Sequence, residues 1–341
     1  MTTTSRQRIT VVGTGCVGAS VGLAIRNSKD ADHLEIVGHD RDHGIARQAK
    51  KLGAFDQVSF NLDLALRGAQ LVVIAVPLAE AREALQDVGG LLDPGSGVVV
   101  TDIGGLKVPS IAWAAQALPE GVHYVGGNAF LAPGAEGWEP LEGLLSAGIE
   151  LFRDAVYAIA PGDDVHPGAV RTVANLALTL GAKPLYMAPA EHDAVLAMTT
   201  TVPALLGTAL FQAISAIPGW AEVRRAAGRE FATATAAASG DVPSLRMAGL
   251  LGCEATLLGL DATIAQLQAV RDLVAEGEAE GFDARLTAVF AARARWMLEA
   301  KSRAWQMTAQ TVDLGNLFQR SVQTVLGEGL SKRPDRPSTP L

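Results

Sequence analysis

Ile9-Thr10-Val11-Val12-Gly13-Thr14-Gly15-Cys16-Val17-Gly18 decides the fold. An apolar run enters a G-x-G-x-x-G turn, and helix-forming residues follow to about Asn27. A second apolar run, Leu34-Glu35-Ile36-Val37-Gly38, leads to Asp40, about 20 residues past the last glycine. Strand, glycine turn, helix, strand and acid in that order describe a dinucleotide-binding βαβ unit. Gly13 permits the tight turn, Gly15 lets backbone approach a pyrophosphate, and Gly18 lets the helix pack closely on the strand. With Thr14, Cys16 and Val17 they make a cofactor loop whose helix N-terminus offers free N–H groups and a positive dipole end. Asp40 accepts hydrogen bonds from ribose hydroxyls, which favours NAD, while the adjacent Arg41 leaves NADP open. The alternative is a glycine turn in an α/β domain that binds nothing.

Downstream, the same alternation continues. Apolar strands are expected at 71–76, 98–101, 123–125, 157–160 and 184–187, with helices at 44–52, 79–88, 109–117 and 169–180. Continuous apolar strands suit a parallel sheet buried on both faces. Ligands in such sheets bind beyond the strand C-termini, so the loops starting at Gly13, Val76, Asp102 and Asn128 should converge on one crevice. Val76, Pro77, Asp102 and Gly104 therefore join the cofactor set. Past about Pro189 the chain turns into Ala/Leu/Arg/Glu-rich segments, expected as helices over 191–217, 221–239, 244–277, 282–309 and 312–326. The expected fold is α/β: a doubly wound Rossmann-type parallel sheet over 1–188, then an all-α domain over 189–326 for substrate and dimerisation. The stretch 327–341, with Pro334, Pro337 and Pro340, reads as a mobile tail.

Composition narrows the partners. The 341 residues are 49% hydrophobic with mean hydropathy +0.23, and the net charge of −8 disfavours nucleic acid. Cys16 and Cys253 are the only cysteines, which suits a reducing cytoplasm, and Cys16 reads as a packing residue. Met1-Thr2-Thr3-Thr4-Ser5-Arg6 lacks the apolar core of a signal peptide. The apolar stretch 199–217 carries Thr199, Thr200, Thr201, Thr208 and Pro203, so a buried helix is expected rather than a membrane span. A small carboxylic acid as substrate and a homodimer are the expected partners. No metal-ligand spacing and no Ser/His/Asp or Cys/His arrangement stands out.

Several stretches together carry a family resemblance: Val100-Thr101-Asp102-Ile103-Gly104-Gly105-Leu106-Lys107, Tyr124-Val125-Gly126-Gly127-Asn128, Leu151-Phe152 leading to Tyr157-Ala158-Ile159-Ala160-Pro161, and Glu191-His192-Asp193. In this order and spacing they resemble the prephenate/arogenate dehydrogenase family. The resemblance implies a dinucleotide domain, a helical dimerisation domain, and NAD(P)-dependent oxidative decarboxylation of a cyclohexadienyl acid in tyrosine biosynthesis. The departures cluster at the implied site. Asn128 stands where the family has its catalytic histidine, and Gly105 stands where a serine is usual. Thr200-Thr201-Val202-Pro203-Ala204 replaces Ser-His-Leu-Pro-His. Small residues of Phe231-Ala232-Thr233-Ala234-Thr235-Ala236-Ala237 lie near the place of the family's substrate arginine.

The family reaction removes hydride from a carbon bearing a hydroxyl, whose proton needs an acceptor. Asn128 can accept a hydrogen bond but cannot take the proton. The histidines are His33, His39, His43, His123, His166 and His192, so none lies beyond 192 to serve as base deep in the helical half. His192 is open to a capping, packing or proton-transfer role. A substrate amine in place of the hydroxyl would relax the demand for a base, because a neutral amine can push hydride out by itself. Lys107 is a candidate for holding a carboxylate or orienting Asn128, or else a solvated lysine. Thr200 and Thr201 are candidates for lining the substrate pocket, or bond back to helix carbonyls with Thr199. Arg224, Arg225, Arg229 and Arg246 are candidates for an anion site or solvated helix residues. Lys301 is the only lysine of the helical half before the tail, a poor match to the catalytic lysine of β-hydroxyacid dehydrogenases. The leading expectation is an NAD(P)-dependent dehydrogenase with an altered substrate; the alternative is a dinucleotide-binding sensor or partner subunit that has lost catalysis.

Overall fold

The computed structural model describes residues 6–131 and 143–302, the final two by backbone alone. The expected helix over 312–326, the end of that over 282–309 and the tail over 327–341 lie outside the described residues. The chain divides into two compact units, Met1–Cys253 and Glu254–Leu341.

Among the described residues the first unit has eight strands: β1 (Gln7–Val12), β2 (Leu34–His39), β3 (Gln57–Val58), β4 (Ala69–Ile74), β5 (Val99–Asp102), β6 (His123–Phe130), β7 (Val156–Pro161) and β8 (Lys183–Tyr186). They lie in the order β3-β2-β1-β4-β5-β6-β7-β8. Every neighbouring pair is parallel except β6–β7. The helices of this unit are α1 (Cys16–Arg26), α2 (His43–Lys51), α3 (Leu62–Leu66), α4 (Leu78–Gly89), α5 (Lys107–Ala117), α6 (Pro167–Thr179), α7 (Pro189–Leu196), α8 (Val202–Ser215), α9 (Trp220–Val223), α10 (Arg229–Thr235) and α11 (Val242–Leu251).

Side-chain alternation divides the core into two layers. Ile9, Val11, Leu71, Val73 and Val99 pack on one face with α1 and α6. Val12, Val72, Ile74, Val98 and Val100 pack on the other with α4 and α5. A sheet buried on both faces needs no polar alternation, which is why these strands read as unbroken apolar runs. The switch in strand order lies between β1 and β4, whose C-terminal loops start at Gly13 and Ala75. A crevice for a ligand opens at such a point.

Several elements differ from the sequence reading. β6 runs to Phe130 rather than ending at Val125, because antiparallel β7 extends its ladder, with Asn128 opposite Ala158. Asn128 is therefore a strand residue, not the start of a loop. Glycines usually weaken a strand, but here neighbours take the missing side-chain space. A Cβ on Gly126 would meet Lys107 Cδ at 2.8 Å, and one on Gly127 would meet the Asp102 carbonyl and Tyr157 hydroxyl at 2.6 Å. Strand β3 and helix α3, absent from the sequence reading, are only two and five residues long.

In the helical part, the single helix expected over 221–239 is broken into α9 and α10 before Gly228. That over 244–277 breaks at Gly252, giving α11 and α12 (Cys253–Glu276). Between α7 and α8 the ladder widens into a π turn, Ala197–Thr201, where the Val202 N–H reaches the Ala197 carbonyl. Pro203 has no N–H to give to the Thr199 carbonyl, so the regular ladder cannot run through this point. The expected burial of 199–217 is only partly realised. α8 buries Val202 and Gly207, while Leu210, Phe211 and Ile214 are exposed. By length and composition Pro189–Ser215 could cross a membrane. Phe211, however, packs with Trp220 and Phe231 of the same unit.

In the second unit α12 turns at Gly277 (φ +66°) into α13 (Ala279–Ser302), and Arg285 donates to Gln266 at 2.6 Å across the hairpin. Leu257, Ile264, Leu267 and Val274 of α12, and Val289, Phe290, Trp296 and Leu298 of α13, are exposed.

Candidate functional site

At the end of β1 the three glycines have separate tasks. Gly13 has φ +92°, and a Cβ there would fall 2.6 Å from the Ala75 carbonyl oxygen. A Cβ on Gly18 would fall 1.9 Å from the Gly13 oxygen, so both glycines are required by the loop itself. Gly15 faces open space: nothing lies within 4 Å of its would-be Cβ. It is also the N-cap of α1 and makes no side-chain cap bond, so the first N–H groups of an 11-residue helix face outward uncapped. This is a cradle for a phosphate group. Val17 is half-buried beside it. Cys16 is buried, and burial pushes its thiol above the usual cysteine value, as suits a packing residue.

Asp40 Oδ2 accepts from the Thr14 N–H at 2.7 Å and from its hydroxyl at 3.1 Å, tying the end of β2 to the glycine loop. Oδ1 accepts from the Asp42 N–H at 2.9 Å. Oδ2 is filled by its two Thr14 donors but Oδ1 keeps a lone pair, so Asp40 can both shape the loop and accept a ribose hydroxyl. Arg41 is gripped by Glu83 Oε2 at 2.9 Å and Asp87 Oδ2 at 2.8 Å, both on α4. Val76 is half-buried and Pro77, the N-cap of α4, is exposed on the other side of the switch point.

Past β5 the polar groups interlock. Lys107 is fully buried, its Nζ bonded to Asp102 Oδ2 and, at 2.8 Å, to the Gly104 carbonyl. Asp102 Oδ1 accepts from the Gly127 N–H at 2.8 Å. Burial pulls the ammonium of Lys107 below the ordinary lysine value, with the Asp102 charge acting against that. Asp102, expected among the cofactor residues, thus turns its carboxylate inward, while the exposed Gly104 stays at the crevice. Lys107 is no solvated lysine.

Asp193 on α7 takes the Lys107 N–H at 2.6 Å on Oδ1 and the Val108 N–H at 2.9 Å on Oδ2, receiving the free N-terminus of α5. His192 beside it is completely buried. Its Nδ1 is 2.8 Å from Asp193 Oδ1 and its Nε2 is 2.9 Å from Asn128 Nδ2. Phe130 covers its ring at 5.5 Å between centroids. Desolvation lowers the His192 pKa from its ordinary value, opposed by Asp193, so the ring is neutral at neutral pH. Helix capping falls instead to Glu191, whose carboxylate accepts the Ala188 N–H at 3.3 Å.

The structure brings Asn128, Lys107, Asp102, His192 and Asp193 together. The connection through Asp193 was missed in sequence, because contacts between α5 and α7 leave no local pattern. Thr199 bonds back to the Val195 carbonyl at 2.8 Å, Thr200 is exposed and Thr201 is buried on the π turn. Arg224, Arg225, Arg229 and Arg246 are exposed. Gly105, where the resembled family has a serine, has φ +76°, a conformation serine rarely adopts.

Comparisons agree with this layout. Residues 21–186 match the family model described as prephenate dehydrogenase, nucleotide-binding domain. The chain is 28% identical over 214 residues to a Bacillus subtilis prephenate dehydrogenase, covering 60% of this chain and only 53% of that protein. It is 25% identical over 286 residues to a Zymomonas mobilis cyclohexadienyl dehydrogenase, covering 80% of this chain and 90% of that protein. The fold is that of the prephenate dehydrogenase from A. aeolicus, solved with hydroxyphenyl propionate and NAD+ (TM-score 0.74, 21% identity, 86% of this chain and 99% of that one). Synechocystis arogenate dehydrogenase shares it too (TM-score 0.66, 21% identity, 85% and 100%).

Two predictions follow from these contacts. Gly18→Ala should destabilise the fold by about 1–3 kcal/mol through overpacking, whereas Gly15→Ala should leave the thermal midpoint unchanged and weaken dinucleotide binding; calorimetry reads both. His192 has its folded pKa lowered, so its neutral, buried form costs nothing above the unfolded value near 6.5. Below that pH the unfolded chain gains a proton that the folded one refuses, so stability should fall as pH drops from there. Urea midpoints of the protein and of His192→Gln between pH 7.5 and 5.5 check this: the variant should show the shallower decline.

Proposed function

We propose that this chain, a member of the prephenate/arogenate dehydrogenase family, is an NAD-dependent oxidoreductase acting on a small cyclohexadienyl-type carboxylic acid. The observation that carries the reading is the uncapped N-terminus of α1 behind an open Gly15, with Asp40 beside it at the switch point of the sheet. These groups fit a dinucleotide: α1 N–H groups for the pyrophosphate, Asp40 for the ribose, and Val76 and Pro77 along the facing wall. Arg41 supports NAD over NADP, because Glu83 and Asp87 hold its charge and add negative charge where a 2′-phosphate would come. When bound, the dinucleotide supplies a hydride acceptor.

The chain's own residues would then hold and orient the acid. Asn128 lies on β6 beyond the last residue paired with β5, so it overhangs the C-terminal edge where substrate meets cofactor. In this proposal Asn128 and Thr200 face the substrate. Lys107 and Thr201, both buried, act by fixing the backbone that carries those contacts. Homodimer formation through the exposed apolar side chains of the helical half belongs to the same reading; sedimentation at micromolar concentration should give a dimer, and a monomer would overturn that part.

Purified protein with NAD and a panel of cyclohexadienyl acids should produce NADH absorbance, faster with NAD than NADP. Asp40→Ala should lower NAD affinity about 10-fold or more through loss of a charge-assisted hydrogen bond. Tight NAD binding without turnover on any acid of the panel would instead identify a dinucleotide-binding protein that has lost catalysis.

A further inference from the structure

Asn128, His192, Asp193 and the first N–H groups of α5 form one hydrogen-bonded chain, and its polarity is fixed from one end. Asp193 accepts two backbone N–H bonds at a helix N-terminus, where negative charge is favoured. As an acceptor it requires the proton of His192 on Nδ1, 2.8 Å away. Nε2 is then the acceptor side of the ring, so Asn128 Nδ2 donates to it at 2.9 Å. The amide cannot flip without setting two acceptors against each other. Asn128 Oδ1 consequently points away from His192 with no hydrogen-bond partner among the described residues, 4.0 Å from the Cβ position of Gly104. Asn128 presents a fixed acceptor at the crevice, and the nearest imidazole is fully buried behind it.

Building on the dehydrogenase reading, we propose that the substrate bears an amine, not a hydroxyl, on the carbon that gives up hydride, and that Asn128 Oδ1 receives one of its N–H groups. Both substituents can donate to Oδ1; they diverge as hydride leaves. An oxygen lone pair pushes more weakly and forms a protonated carbonyl, a strong acid, so hydride leaves slowly unless a base takes the proton as it goes. The Asn128 amide is too weak a base, and His192 Nε2 already holds the Asn128 N–H. A nitrogen lone pair forms an iminium that keeps both hydrogens and stays bonded to Oδ1. Loss of the ring carboxylate as CO2 then returns an electron pair through the ring and leaves an aromatic amine. A substrate with a neutral amine and an ionised ring carboxylate, together with the oxidised dinucleotide, thus gives aromatic amine, CO2 and reduced dinucleotide, with no proton gained or lost.

The test compares prephenate with its 4-amino-4-deoxy analogue on the full chain with NAD. The analogue should have the higher kcat/KM by at least about 100-fold, the lower range of what a general base contributes. Asn128→His should raise prephenate turnover and narrow that gap. A second readout needs no turnover: with NAD present, 3-(4-aminophenyl)propionate should bind about 5-fold tighter than the 4-fluoro acid, which lacks a donor, and the difference should vanish in Asn128→Ala. Prephenate oxidised as fast as the analogue, or equal binding of the two aryl acids, overturns the inference and leaves the dehydrogenase reading standing. No turnover on any acid overturns both.

Discussion

The buried pair of Lys107 and Asp102 is the constraint on which the crevice depends. Placing an ammonium where no water reaches costs several kcal/mol, recovered only if its partners are close and complete. Here they are: Asp102 and the Gly104 carbonyl hold Nζ, while the second oxygen of Asp102 takes the Gly127 N–H. Gly126 and Gly127 follow from that arrangement, because side chains on them would occupy the lysine stem and the Asp102 carbonyl. The pair thereby sets the spacing of β5 and β6 and the position of Asn128. Its backbone N–H, bonded to Asp193, carries the same constraint to α7. Such pairs add little net stability but are costly to break, which suits a part whose task is placement.

What was legible in the sequence was whatever depends on neighbours along the chain. The glycine turn, the apolar strands and their order of alternation are local patterns, and the cofactor loop came with them. What was not legible depends on residues far apart. The extension of β6 through Gly126, Gly127 and Asn128 rests on antiparallel pairing with β7, and two adjacent glycines read locally as a turn. Lys107 reads equally as a site residue or a solvated lysine, because nothing near it announces Asp102 turning inward. His192, between two acids at a helix start, reads as a capping or packing residue or a proton carrier; only the fold shows it closed between Asn128, Asp193 and Phe130. The breaks before Gly228 and at Gly252 were hidden by alanine- and leucine-rich flanks with strong helix preference, which leave the glycines as the only signal.

Asn128 alters the chemistry of the site without loosening its structure. An amide has a donor and an acceptor, so it satisfies the Nε2 of a neutral histidine on one side and faces the crevice with oxygen on the other. The polar chain from α5 to β6 therefore remains continuous while its last member can no longer take up a proton. In the proposed site a positioned acceptor there would still orient a donor group on a substrate, but it cannot serve as the base that a hydroxyl substrate calls for.

The proposed cofactor contacts and that chemistry are physically separable because they rest on opposite sides of β4 in the sheet. Gly13, Gly15, Gly18 and Asp40 follow the C-terminal ends of β1 and β2, and Glu83 and Asp87 fix Arg41 from α4, with no bond to Asn128 or Lys107. Each of those surface ion pairs is worth about 0–1 kcal/mol, yet the local sum of charge matters more than either pair. Asp40, Glu83 and Asp87 against one Arg41 leave the adenosine end net negative, where an added phosphate would be repelled even if Arg41 swung free. In the proposed NAD reading, the preference for a bare ribose rests on the carboxylates around the arginine, not on Asp40 alone.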